Sequence, residues 1–253
     1  MKTFATYNIK GGVGKTATAV NLSYLAAREG YRVLLWDLDP QAAASFLFRI
    51  RPRVKGGGKA LIKGTRPVDD AIKATDFDHL DLLPADFTYR NLDLLLDAAK
   101  KPERRLGSLL APLSAEYDVI FLDCPPGISL LSESVLRAAD MLLVPLIPTT
   151  LSVRTLDQLT DFIKDRSGAR PAILAFFSMT DRRKRLHREI SEQLPAQRAD
   201  VAATAIPALS LIEQMSVQRA PVTAFAPRSA AARRYAALWA EARERAGLQA
   251  PPA

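Results

Sequence analysis

The sequence predicts an α/β fold, a mostly parallel, twisted sheet with helices on both faces. Three observations carry this expectation. Apolar runs alternate with helix-patterned stretches along the whole chain. Two of the runs, 32–36 and 119–122, are nearly all apolar, as strands buried on both faces are. The first run, 3–7, passes directly into a loop rich in lysine and glycine that opens a helix.

In chain order the expected strands are 3–7, 32–36, 80–83, 119–122, 141–146, 172–177 and 201–204. Helical stretches fall at 16–28, 90–99, 129–138, 155–164, 185–193 and 229–245. The chain of 253 residues suffices for one large domain, expected over 1–247, followed by a disordered tail at 248–253. Residues 45–67 do not read as regular structure. They carry Arg49, Arg51, Arg53, Lys55, Lys59, Lys63 and Arg66, no acidic residue, and the triplet Gly56-Gly57-Gly58. The triplet predicts a flexible loop, either a solvated surface loop or a mobile polyanion-binding arm.

Composition narrows the function. The net charge is +8, which reflects either a merely basic surface or contact with a polyanion, nucleic acid or an acidic membrane. The single cysteine, Cys124, excludes a disulfide framework, fits a reducing compartment and reads as a buried filler. The chain opens on a strand rather than a signal peptide, and no run of 18 apolar residues exists. A cytoplasmic protein is expected. His79 and His187 stand alone and read as surface or packing residues.

The loop reads Lys10-Gly11-Gly12-Val13-Gly14-Lys15-Thr16. It is a phosphate-binding loop, so the fold expected is a single-domain P-loop NTPase. Glycines let the backbone curl so that N–H groups point at phosphate oxygens. Residues Gly11, Gly12, Val13, Gly14, Lys15, Thr16 and Ala17 are expected to hold the nucleotide. Lys15 reaches the β- and γ-phosphates, and the Thr16 hydroxyl takes a place on Mg²⁺. Lys10, at the start of the loop, is better placed to reach the nucleotide of a facing subunit. Two carboxylates, Asp39 and Asp123, follow the C-terminal ends of apolar strands, the edge where open α/β sheets bind ligands. Asp123 ends its run in the Walker B position and is expected to hold Mg²⁺ with Thr16 and Asp39. Asp37 reads as part of the Mg²⁺ shell or as packing.

With Ala17-Thr18-Ala19-Val20-Asn21-Leu22, Trp36-Asp37-Leu38-Asp39-Pro40-Gln41, Leu122-Asp123-Cys124-Pro125-Pro126-Gly127 and Ala226-Pro227-Arg228-Ser229, the loop resembles the ParA/MinD group of deviant Walker ATPases. The resemblance extends over most of the chain. It implies an ATP-dependent homodimer with ATP and Mg²⁺ as cofactors. It also implies nonspecific DNA binding on the nucleoid and a ParB-like or adaptor protein that activates hydrolysis. It gives Asp39 the task of orienting or deprotonating the attacking water, so Lys10, Lys15 and Asp39 are the expected catalytic residues.

The segment Arg182-Arg183-Lys184-Arg185-Leu186-His187-Arg188 has five basic residues in seven positions. As a helix it would align Arg182, Arg185 and Arg188 in a stripe able to follow a phosphate backbone. Arg182, Arg183, Arg185, Arg188 and Arg219 are the expected DNA contacts. The relatives often carry arginines around 207–211 and this chain has none there, leaving Arg219, Arg228, Arg233 and Arg234 nearby. The rival is a MinD-like membrane-cycling ATPase, which needs an amphipathic basic helix at the C-terminus. There Glu241 and Glu244 dilute the charge and alanines weaken the apolar face. An iron–sulfur electron carrier on this scaffold needs two cysteines per subunit, which one cysteine excludes. A related tyrosine kinase wants a terminal tyrosine cluster, where only Tyr235 stands. No room is read for a separate operator-binding domain.

Overall fold

The computed structural model describes residues 1–165 and 170–251. Among them lie seven strands: β1 (Lys2–Thr6), β2 (Val33–Asp37), β3 (Lys73–Ala74), β4 (Leu80–Leu83), β5 (Val119–Asp123), β6 (Met141–Leu146) and β7 (Ala172–Phe177). They form one sheet in the order β3-β4-β2-β5-β1-β6-β7. Every pairing is parallel except the two-residue pairing of β3 with β4. The long helices are α1 (Lys15–Arg28), α6 (Leu130–Ala138), α7 (Thr150–Lys164), α8 (Arg185–Gln197) and α12 (Ala230–Arg245). Between them lie shorter ones: α2 (Ala43–Leu47), α3 (Gly57–Lys63), α4 (Leu92–Asp97), α5 (Arg105–Leu110), α9 (Ser210–Glu213), α10 (Met215–Gln218) and α11 (Val222–Phe225).

Side chains alternate across each strand, so an all-apolar strand feeds a core on both faces. One face gathers Leu34, Trp36, Ile120 and Leu122 with α3 to α7. The other gathers Phe4, Val33, Leu35 and Phe121 with α1 and α12. There Phe4 stacks on Phe121 with centroids 5.3 Å apart, and Trp239 of α12 meets Phe4 edge-on at 5.7 Å. The Trp239 indole N–H donates to Glu29 at the end of α1 at 3.0 Å. The last helix is thus part of the core, with Tyr235, Leu238 and Trp239 all buried.

Four sequence expectations change. The run 201–204 is not a strand: only a single bridge joins Val201 to Ala175 of β7. The Glu241 carboxylate of α12 accepts the N–H groups of Ala203 and Thr204 at 3.0 and 2.8 Å, so a helix side chain takes the hydrogen bonds a neighbouring strand would have. The helix expected at 90–99 is a 3₁₀ turn, Phe87–Asn91, leading into α4. Thr149 caps α7 at Ser152 N, which starts that helix five residues earlier than 155. Finally, 45–67 is not a flexible loop but carries α2 and α3.

The glycine triplet is the start of α3. Gly56 and Gly57 have φ of 85° and 63°, a region that favours glycine, and lead the chain into the helix. Gly58 packs so tightly that a Cβ there would lie 3.0 Å from Leu92 and 3.1 Å from Tyr89. Val54, Leu61 and Ile62 are buried beneath. Asp86 clamps the lead-in: one oxygen accepts Val54 N at 2.9 Å, and the other accepts Thr88 N and its hydroxyl at 2.9 and 2.6 Å. Burial works against the charge of Asp86, but these bonds outweigh it and hold its carboxyl below the ordinary range. Thr88 in turn accepts Gly58 N at 2.8 Å.

In the expected tail, the Tyr31 hydroxyl donates to the Gln249 carbonyl, and Leu248 packs on the α12 side of the core. Pro252 and Ala253 lie outside the described residues. Among the described residues no helix is long and apolar enough to cross a membrane.

The Asp86 clamp generates a prediction. Asp86→Ala removes three hydrogen bonds to a charged acceptor and is expected to lower stability by about 1.5–3 kcal/mol. Urea unfolding measures the loss. Hydrogen exchange is expected to speed up across 54–63 first, and unchanged protection there would assign the docking of α3 to its apolar side alone.

Candidate active site

The C-terminal ends of β1, β2 and β5 meet at one edge of the sheet. In register, Thr6 and Asp37 both face Asp123 as Cα partners. The phosphate loop leaves β1 at this edge. The Asn8 side chain shapes its start: its Oδ1 accepts Lys10 N at 2.9 Å, and its Nδ2 donates to the Pro145 carbonyl of β6 at 2.7 Å. Gly127 N donates to the Ile9 carbonyl at 3.1 Å, tying the loop to the turn after β5. Gly14 closes the loop at φ 96°, where a Cβ would come within 2.8 Å of the Ser178 hydroxyl past β7. No side chain caps α1, so its first N–H groups are left to the loop's ligand.

Lys15 is buried, and its ammonium donates to the Lys10 carbonyl at 3.0 Å across the loop. Desolvation lowers its pKa, opposed by the charge of Asp123 and, more weakly, Cys124 and Asp39. The Lys10 side chain, half-exposed, makes no hydrogen bond or ion pair among the described residues. Gly11 and Gly12 are exposed on the loop's outer surface, while Val13 is buried beneath it. Thr16 and Ala17 form the first turn of α1, facing Gln41.

The carboxylates divide into two kinds. Asp37 is fully buried and satisfied: one oxygen accepts the Ser45 N–H and hydroxyl at 2.8 and 2.7 Å, the other Asp39 N at 3.3 Å. Asp123 is fully buried and half-satisfied. Its Oδ1 accepts the Thr6 hydroxyl at 3.2 Å, whereas its Oδ2 has no hydrogen-bond partner among the described residues. Burial, then the charge of Asp37, raises its pKa to about 8 against the opposing hydroxyls of Thr16 and Thr6. The adjacent Cys124 is buried and its thiol is pushed up by the same burial. Asp39 stands past the end of β2, half-buried, with one oxygen accepting Gln41 N at 2.9 Å.

These residues fit a magnesium ion. An unpartnered buried carboxylate oxygen beside a threonine hydroxyl, with Asp39 close enough for its charge to be felt, is a hard-oxygen donor set. Among the described residues no group of three or more His, Cys, Asp or Glu gathers as a metal cage.

The basic residues do not form the stripe expected on one helix face. Arg182 and Arg183 lie in the turn before α8, which starts only at Arg185. Arg183 folds back onto Asp181 at 2.9 Å, and Arg185 pairs with Glu189 at 2.6 Å along the helix. The turn is fixed by Asp181 N donating to the buried His187 Nδ1 at 3.1 Å. Arg182 and Arg188 line a cavity of about 370 Å³ with Arg234 and Glu192. Arg219 lies elsewhere: it sits over the Phe46 ring of α2 at 4.5 Å and donates to the Phe46 carbonyl at 3.0 Å. Sequence reading also missed Asn8, Ser45 and Ser178. Asn8 had a signal, a polar side chain between an apolar strand and the loop. Ser45 and Ser178 had none, since their partners are set by the fold.

Comparisons with known proteins agree with this geometry. A family model described as an AAA domain matches residues 1–171. The chromosome partitioning protein ParA of Myxococcus xanthus (strain DK1622) is 34% identical over 194 residues, covering 74% of this chain and 68% of its own length. The sporulation initiation inhibitor protein Soj of Bacillus subtilis (strain 168) is 32% identical over 240 residues, covering 92% of this chain and 95% of its own. Among solved structures, a variant of Cyanothece McdA in complex with ATP matches with a TM-score of 0.85 at 20% identity, covering 98% of this chain and 97% of that one. Identity at this level to a chromosome partitioning ParA and to Soj, over nearly the full length of Soj, together with the family match, means that the chain belongs to the ParA/MinD-type family of ATPases.

Proposed function

We propose that the chain is a positioning ATPase: ATP joins two copies face to face, the dimer holds DNA without reading its sequence, and a ParB-like or adaptor protein triggers hydrolysis and release. The cargo is a plasmid, a chromosome or a protein assembly, moved over the nucleoid in the cytoplasm. The observation that carries this reading is the pair of lysines on one loop. Lys15 turns inward onto the loop's own carbonyl, while the Lys10 side chain has no partner among the described residues.

The chemistry follows from the residues. Loop N–H groups from Gly11 to Ala17 and the start of α1 cradle the phosphates, and Lys15 meets the β- and γ-oxygens. Lys15 is already desolvated, so its charge acts at low dielectric without reorganisation. Thr16, Asp123 and Asp39 would hold Mg²⁺, which when bound would neutralise charge building on the phosphate oxygens. Asp39, pinned by Gln41 N, orients the attacking water in line with the γ-phosphorus. Lys10 of the facing copy supplies a second cation to the same phosphate, so turnover depends on the dimer. DNA meets Arg182, Arg183, Arg185 and Arg188 at the β7 end, and Arg219 beside α2. The MinD-like alternative needs a C-terminal helix free to enter a membrane. Here α12 buries Tyr235, Leu238 and Trp239 in the core, which favours DNA.

Asp39→Ala should separate binding from turnover. ATP affinity by calorimetry is expected to stay near wild type, while hydrolysis falls by about two orders of magnitude. Turnover near wild type would move the task to another group. Asp123→Asn tests the metal position. Folding raises this pKa to about 8, so the folded chain keeps a proton that the unfolded chain releases near pH 4. Stability of the nucleotide-free protein therefore falls as pH rises from about 4 to about 8. The variant is expected to flatten that fall in melting curves with chelator, and Mg²⁺ should no longer tighten its ATP binding. Retained Mg²⁺ dependence would place the ion elsewhere. Finally, Arg182, Arg183 and Arg185 changed together to Glu should abolish the ATP-dependent part of binding to random duplex. ATP-dependent retention on anionic liposomes instead of DNA would favour membrane cycling.

A further inference from the structure

The positive charge of this protein is not spread over it. The chain has 35 basic and 27 acidic residues. Residues 49–66 alone hold seven basic and no acidic ones, leaving 28 against 27 in the other 235 residues. Nearly the whole excess of +8 thus sits on one eighteen-residue segment. By contrast the cluster at 181–192 carries five basic against three acidic residues, with Arg183 and Arg185 in ion pairs.

The segment is a platform rather than an arm. Its underside is locked by Val54, Leu61 and Ile62, by the Asp86 clamp, and by Arg105 Nε donating to the Ile62 carbonyl at 2.5 Å. Its upper surface exposes Arg51, Arg53, Lys55, Lys59 and Lys63. None of these five has an ion pair among the described residues; Arg49 alone is taken, by Asp76. Lys59 and Lys63 stand one turn apart on α3, about 6 Å along its axis, and Lys55 stands in the lead-in two residues before the helix. Cations in a row on a fixed backbone lose less entropy on meeting a regular array of phosphates than cations on a flexible arm.

Position makes this surface separate from the one at α8. The platform lies over the β4 end of the sheet, and α8 follows β7 at the other end. Five strand spacings of about 4.8 Å separate β4 from β7, roughly 24 Å. We propose that the α3 platform binds the phosphate backbone of duplex DNA by itself, on the single chain, without ATP and without a second copy. The inference goes beyond the dimer reading, because it needs neither nucleotide nor the α8 arginines. A protein released from its dimer by hydrolysis would then remain weakly held on DNA and diffuse along it.

The test uses the full chain, a random duplex and a salt series, without nucleotide and then with ATP. Without nucleotide, wild type is expected to bind weakly at low salt. Lys55→Glu, Lys59→Glu and Lys63→Glu together should reduce that affinity at least about tenfold. The slope of log affinity against log salt should flatten by about three units, one for each phosphate no longer neutralised. Each single Lys→Gln should remove about one unit, which guards against misfolding of the charge-reversed chain. The increment that ATP adds should persist in the triple variant and vanish in the Arg182, Arg183 and Arg185 variant, so failure of this inference and failure of the dimer reading look different. Three results would overturn the proposal: no nucleotide-free binding at low salt, equal nucleotide-free affinity of the triple variant, or capture by phosphatidylserine vesicles but not by duplex.

Discussion

Two carboxylates that water never reaches set the terms for the rest of the molecule. Asp37 and Asp123 end neighbouring parallel strands and face each other in register. Both are held above the ordinary carboxylate range, chiefly by burial. Two like charges this close in a low dielectric cannot both be left bare. The fold treats them unequally. Asp37 takes three hydrogen bonds, two from Ser45 and one from Asp39 N, and becomes an anchor. Asp123 receives one hydroxyl from Thr6 and keeps an oxygen with no partner among the described residues, while its charge is felt at the buried Lys15. With its pKa raised to about 8, the Asp123 carboxyl avoids the cost of a bare buried charge by keeping its proton at neutral pH, at the expense of a polar oxygen left unpaired in the interior. A cation arriving with nucleotide would take the place of that proton and pair the oxygen.

The anchor also connects the site to the basic platform. From Asp39 N the contacts run to Asp37, from Asp37 to Ser45, and from the Ser45 hydroxyl to Ala85 N at 3.0 Å. The next residue, Asp86, holds Val54 at the head of α3. Apart from the peptide bond between Ala85 and Asp86, each link is a hydrogen bond between buried or half-buried groups, and between them they join the loop carrying Asp39 to α2, the end of β4 and α3. The platform is therefore fixed to the edge where nucleotide binds, although its charges face outward.

How much of this was legible in the sequence depends on where the determining partner sits. Strands β1, β2 and β4 to β7 could be read because strands buried on both faces are uniformly apolar. Asp39 and Asp123 stood out as carboxylates at the ends of such runs, whereas Asp37 was read only as part of the Mg²⁺ shell or as packing. The phosphate loop was legible because its glycines and Lys15 act through local backbone geometry. What failed depended on distant residues. Gly56-Gly57-Gly58 signals a break, and nothing within 45–67 shows that Asp86, Thr88 and Leu92 will dock it as a helix. The run 201–204 has the composition of a strand, but the N–H groups of Ala203 and Thr204 go to Glu241, almost forty residues on. The arginines of 182–188 looked like a stripe because helical spacing was assumed from 182. The bond from Asp181 N to His187 holds that stretch as a turn, and α8 begins only at Arg185.

The separation of charge from core explains how the two ends of the sheet can differ while the site stays the same. The charged groups at the strand ends and on the loop, Lys15, Asp37 and Asp123, are buried and interact through a medium of low dielectric. The platform lysines are solvent-exposed, and at physiological salt their field is screened within about 8 Å. Exposed charges also contribute little to stability. The lysines of α3 can therefore be many without disturbing the carboxylate pair. The reverse does not hold: α3 keeps its place through Asp86, which sits next to the residue bonded to Ser45, so any movement at Asp37 reaches the platform through hydrogen bonds rather than through the field. In this fold, contact geometry is the route by which the nucleotide edge and the cationic surface can influence each other.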